Sequence, residues 1–169
     1  MKFDEHYFLE RNLFHADGST EHVKDVRCTN LTLKMFGICS TEPRYGRLDV
    51  FTDLKDAGFV MVSMNAWESA RKFGSDRTPI PLYYDKTGWK NGNISEFNLP
   101  DFDKFKEGIT VRKFAKLFPT GDYIIGTKDH SMALRDGTLA DYSERGFDGR
   151  RIETADQVFT QEAFEGLKK

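Results

Sequence analysis

Apolar residues recur at helical spacing in several stretches of the chain. Leu31, Met35 and Ile38 follow an i, i+4, i+7 rhythm that predicts a helix over 28–38, with Gly37 near its end. Leu48, Phe51 and Leu54 predict a second helix over 48–57, stopped by Gly58. Asn65 is the expected N-cap of a third over 66–73, with Glu68 at the capping-box position and Gly74 just past the end. Thr110 caps a fourth over 111–118. Val111, Phe114, Ala115 and Phe118 give it one apolar face, and Pro119 ends it. Near the end two readings stay open: Thr154 with Gln157 opens a last helix to Leu167, or Val158-Phe159 closes a strand.

Elsewhere the rhythm shortens to strand spacing. Tyr123-Ile124-Ile125-Gly126 is a short β-rich run, and Phe59 to Met64 is a weaker strand. The runs 130–134 and 138–142 flank Asp136-Gly137, a pair suited to a type I′ turn because both central residues need positive φ. In a two-residue turn Arg135 opposes Thr138, Leu134 opposes Leu139, Met132 opposes Asp141 and His130 opposes Ser143. Side chains alternate with period two, so His130, Met132 and Leu134 share a face with Leu139, Asp141 and Ser143. The stretch 78–100, rich in Gly, Pro, Asn and Tyr, reads as loop with short extended pieces. The whole is an α+β fold: one domain over 1–169, with N-terminal helices packed on a small antiparallel sheet that contains the 130–142 hairpin.

Composition narrows this little. The chain has 169 residues, 38% hydrophobic and 31% charged, with net charge −2, so no basic face points to nucleic acid. Fifteen Phe within periodic segments imply a core built from rings. No apolar run approaches the roughly 18 to 20 residues that span a bilayer, so no membrane partner is expected. The first residues lack a basic region followed by an apolar stretch, so secretion by a signal peptide is not expected. The two Cys, Cys28 and Cys39, are too few for a disulfide framework and read as free thiols in a reducing cytosol.

Three residues carry candidate chemistry. His130 and Asp141 are diagonal neighbours across the hairpin, about 7 Å apart by backbone. A carboxylate there holds an imidazole tautomer and stabilises the imidazolium, the orienting role in nucleophile–base–acid triads. The plainer account makes them a strand-end polar residue and a turn-side charge. Cys28 stands at a helix start, where the dipole and unpaired N–H groups favour the thiolate. The plainer account makes it a small buried hydrophobe. Cys39, beyond Gly37, is structural or incidental. His6, His15 and His22 show no metal-ligand spacing, and no cofactor is expected. Gly88-Trp89-Lys90-Asn91-Gly92-Asn93 offers an aromatic platform or a loop with a hydrophobic anchor. The run 144–151 reads as a solvated, salt-bridged turn. There is no phosphate loop and no dinucleotide fingerprint.

Cys28 at a helix start, then His130 opening a strand and an acid on the next, follows the order of papain-like cysteine peptidases. The chain more closely resembles the small papain-fold proteins encoded by bacteriophages. The run from Val111 to Ile125 is similar to their helix, Pro-Gly turn and strand. The run from Asp129 to Asp141, with His130, Ala133, Asp136 and Gly137 in place, is similar to their GHxxAxxDGxxxD hairpin, and Gly149-Arg150-Arg151-Ile152 is similar too. The likeness covers roughly the last third of the chain. Asp129 replaces the usual Gly, and no Gln precedes Cys28 within 22–27. The resemblance implies His130 as base and Asp141 as orienting residue in a papain-like fold, with a peptide or protein substrate. It implies a cysteine hydrolase of peptide or amide bonds, retained or degenerate, found in the cytoplasm of an infected bacterium or in a virion. The competing expectation is a non-catalytic phage protein, either a virion component or a binder of a host factor.

Overall fold

A computed structural model describes residues 12–14, 20–22, 29–30, 32–38, 44, 46–74, 77–128, 130–140 and 149–169. The architecture is α+β. Asn12–Phe14 (β1) and Thr20–His22 (β2) form a two-stranded antiparallel pair. The remaining strands are Phe59–Ser63 (β3), Ile80–Asp85 (β4), Gly88–Gly92 (β5), Asp122–Thr127 (β6), His130–Arg135 (β7), Thr138–Ala140 (β8) and Thr154–Thr160 (β9). They make one seven-stranded sheet in the order β5-β4-β3-β9-β6-β7-β8. All its pairings are antiparallel. The sheet is larger than the sequence suggests, because within the 78–100 stretch, read as loop with short extended pieces, residues 80–92 fold as the β4–β5 hairpin. Pro81 sits beside a register shift on the β4–β5 side, where a residue without an N–H is tolerated.

The helices are Gly46–Asp56 (α1), Met64–Lys72 (α2), Val111–Leu117 (α3) and Gln161–Glu165 (α4). Residues 29, 30 and 32–34 are also helical. Three helices begin on a hydroxyl cap. Ser63 Oγ accepts from Ala66 N at 3.1 Å, Thr110 Oγ1 from Lys113 N at 3.1 Å, and Thr160 Oγ1 from Ala163 N at 3.2 Å. Ser63 therefore takes the place expected of Asn65. The Asn65 amide instead braces β9, donating to Glu153 O at 2.7 Å and accepting from Ala155 N at 2.9 Å. Glu68 closes no capping box; its carboxylate accepts from Glu107 N. Thr154 opens a strand, and the last helix starts only after Thr160.

Strand alternation divides the core between two faces. On one, Val60, Val62, Tyr123, Ile125, Met132 and Leu134 meet Trp67 of α2, Phe114 of α3 and Phe164 of α4. Phe114 touches Phe105, Phe118 and Tyr123 with centroids 6.0, 4.6 and 5.2 Å away. Each such buried ring contributes about 1.5–3 kcal/mol. On the other face Met61, Ile124 and Val158 meet Leu33 and the Val50, Phe51 and Leu54 stripe of α1. Leu48, expected on that stripe, is exposed instead.

The turn between β7 and β8 has φ of +48° at Asp136 and +79° at Gly137, as a type I′ turn requires. Arg135 opposes Thr138 and Leu134 opposes Leu139. Asp136 ties the turn to the start of β6: its N–H donates to Gly121 O at 2.9 Å, and its Oδ1 accepts from Gly121 N at 3.0 Å. Gly121 has φ +99°, a backbone conformation that favours glycine at this junction.

Candidate active site

His130 opens β7, as the turn register requires. It is half-buried and directly opposite Thr127 of β6. Thr127 Oγ1 is buried with no hydrogen-bond partner among the described residues. By alternation both residues belong to the ring-packed face, which His130 shares with Met132 and Leu134. Cys28, Cys39 and Asp141 lie outside the described residues, as do Asp129, His6, His15 and most of 141–151.

The helical segment after Cys28 packs on the opposite face. Thr32 Oγ1 lies 3.3 Å from Ser131 Oγ. Further along, Arg135 donates to Met35 O and stacks on Phe36, with its guanidinium carbon 5.2 Å from the ring centre. These contacts fix the direction of the segment. Going back from Met35 to Thr32 runs alongside β7 from Arg135 to Ser131, toward His130. Thr29 lies a further ~4.5 Å in that direction at 1.5 Å per residue. Thr29, Asn30 and Thr32 are all buried, although such polar residues are mostly exposed. Asn30 Oδ1 is satisfied by Arg44 N at 2.9 Å, and Arg44 forks onto Asp53 at 2.9 and 3.0 Å.

One group in the middle of the sheet was not legible in the sequence. Asp156 sits in central strand β9 with 0% exposure, opposite Ser63 on β3 and Ile124 on β6. Arg47, in the first turn of α1, grips it with Nε at 2.9 Å and Nη2 at 2.6 Å. Burial pushes the Asp156 carboxyl above its ordinary value, and the Arg47 hydrogen bonds and charge pull it back only in part. For Arg47, burial works against the charge, and Asp156 more than restores it, leaving the guanidinium raised. The only sequence signal was a lone acid in the apolar-leaning run Ala155-Asp156-Gln157-Val158-Phe159.

A cleft of about 530 Å³ lies elsewhere, lined by Trp67, Arg71, Ile94, Phe97, Leu99 and Asp103 among others, and it includes none of the sequence-predicted site residues. Among the described residues, no group of three or more His, Cys, Asp or Glu could hold a metal ion. Among them too, no helix is long and apolar enough to cross a membrane. No protein-family model, no curated protein and no solved structure matches the chain.

Proposed function

We propose that the chain is a papain-like cysteine hydrolase of peptide or amide bonds, of phage origin. Cys28 attacks the carbonyl, His130 takes and returns the proton, and Asp141 orients His130. The helix start supplies an N–H to the developing oxyanion. The observation that carries this reading is the polarity of the helical segment on β7. Its Thr32–Ser131 and Met35–Arg135 contacts run its start toward His130. Iodoacetamide at neutral pH tests it, with sites read by peptide mass. Cys28 is expected to label faster than Cys39, to slow in His130→Ala, and to lose its advantage on unfolding. Equal, slow labelling of both thiols overturns the reading.

A second reading, a non-catalytic virion component or host-factor binder on the same scaffold, draws on a different observation. His130 alternates onto the Met132 and Leu134 face, whereas the helical segment packs on the Ser131 face. Under it, Cys28→Ala leaves biological activity intact, and a virion component co-purifies with particles.

A further inference from the structure

The Gly88-Trp89-Lys90 motif is absorbed by neither reading. It lies on β5, the outermost strand of the sheet. One row of β5 backbone N–H and C=O groups therefore has no strand partner among the described residues, the condition under which another strand adds. Trp89 is 41% exposed, and Leu48 on the adjoining helix α1 is 63% exposed. Between them Arg47 lies over both rings, 4.7 Å from the centre of Phe51 and 5.2 Å from that of Trp89. Trp89 itself packs on Phe51 at 5.6 Å and on Tyr84 at 5.4 Å. Tryptophan and arginine are the residues that most often dominate binding interfaces. Here both are held rigid before any partner arrives, the ring by aromatic packing and the guanidinium by buried Asp156.

The charges at this edge select the occupant. Lys86 at the hairpin tip and Lys90 on β5 form no ion pair among the described residues. Arg47 spends two donors on Asp156 and keeps others of its five. Asp85 beside the tip accepts from Thr87, and Asp49 on α1 faces Arg44 at 3.8 Å. Lys90 alternates to the sheet face opposite Trp89. A strand laid along β5 thus meets an aromatic and aliphatic surface on one side and a bare ammonium on the other.

We propose that β5 is a docking edge for an extended acidic segment of a partner protein. That segment pairs as an eighth strand. Its residues on the Trp89 side are apolar, with one carboxylate reaching Arg47, and its alternate residues facing Lys90 are acidic. The proposal does not depend on the chemistry of Cys28.

Selection from a random ten-residue linear peptide library on the whole immobilised chain tests it. Sequences alternating acidic and apolar residues are expected. A selected peptide, fluorescein-labelled, is then titrated by anisotropy. Trp89→Ala is expected to weaken binding about tenfold or more. The double variant Lys86→Glu, Lys90→Glu alters only surface charge and is expected to do the same. Binding should also weaken with added salt. Failure to enrich any peptide, enrichment of neutral or basic ones, or binding indifferent to both variants overturns the proposal. So does sedimentation as a dimer that Trp89→Ala dissolves, which would assign the edge to a second copy of the chain.

Discussion

The two faces of the large sheet are buried by different means. One is covered by rings: Trp67, Phe102, Phe105, Phe114, Phe118 and Phe164 close over β3, β6, β7 and β9 with little polar content. The other has a smaller apolar core around Leu33, Phe51, Leu54 and Ile124, and it buries an ion pair, Arg47–Asp156, beside it. The ring face gains its stability from area removed from water, which is insensitive to exact geometry. The mixed face depends on satisfying a buried carboxylate, which requires Arg47 in one place. Fixing Arg47 fixes the start of α1 against the middle of β9. By alternation His130 belongs to the ring face, whereas the helical segment at Thr32 packs on the face whose packing is directional.

Substitutions on each side can sharpen or break this contrast. The largest loss is expected from Phe114→Ala, about 3–5 kcal/mol in urea unfolding, because three rings are left around a void. A loss under 1 kcal/mol would show that the ring face repacks freely. Asp156→Ala should cost about 3 kcal/mol by leaving Arg47 without its partner, and replacing both, Arg47→Met with Asp156→Leu, should recover most of it. A double variant as unstable as the single would remove the ion pair as the source.

A pH measurement probes the ring face more gently. Burial, and then the charges of Asp101, Asp122 and Asp136, hold the Tyr123 phenol above its ordinary 10.0. The unfolded chain ionises near that ordinary value while the folded chain stays neutral. The stability this supplies is therefore complete below about pH 10 and is lost as pH rises past it. Tyr123→Phe should flatten that alkaline decline, at a cost of about 1 kcal/mol at pH 7 for the lost hydrogen bond to Thr120 O. The smallest effect belongs to Leu48→Ala, which should change stability by no more than about 0.5 kcal/mol because the side chain faces water. A larger loss would mean that α1 packs through Leu48 after all.

Local signals were legible where one residue type satisfies the backbone. Asp136-Gly137 gave the turn and its register, and Thr110 gave the start of α3, because positive φ and an unpaired N–H each have few solutions. Signals failed where distant pairing decided. Ser63 and Asn65 are both good caps, and only the approach of β9 gives Asn65 other work. The β4–β5 hairpin was hidden by Pro81, which stands at a register shift, and by Gly88, Asn91 and Gly92 on the edge strand β5. Thr154 with Gln157 fitted a helix start until β3 and β6 claimed both edges of that segment. Of the site residues, His130 opens β7 as expected, its partners across the turn lying outside the described residues, whereas nothing local announced the Arg47–Asp156 pair, whose members are 109 positions apart.

The central place of β9 also has a consequence for how the chain is made. β3–β5 and β6–β8 are each a meander of neighbours in sequence, and within the large sheet they meet only through β9, which hydrogen-bonds to β3 on one side and β6 on the other. A ribosome-bound chain that has not yet exposed residue 154 therefore holds two separate half-sheets, each with an open inner edge. Those edges stay available to chaperones, or to each other in a wrong register, until the last strand of the sheet emerges. Completion of the large sheet is thereby tied to the emergence of β9, and arrested nascent chains that stop before and after β9 should differ sharply in protease resistance.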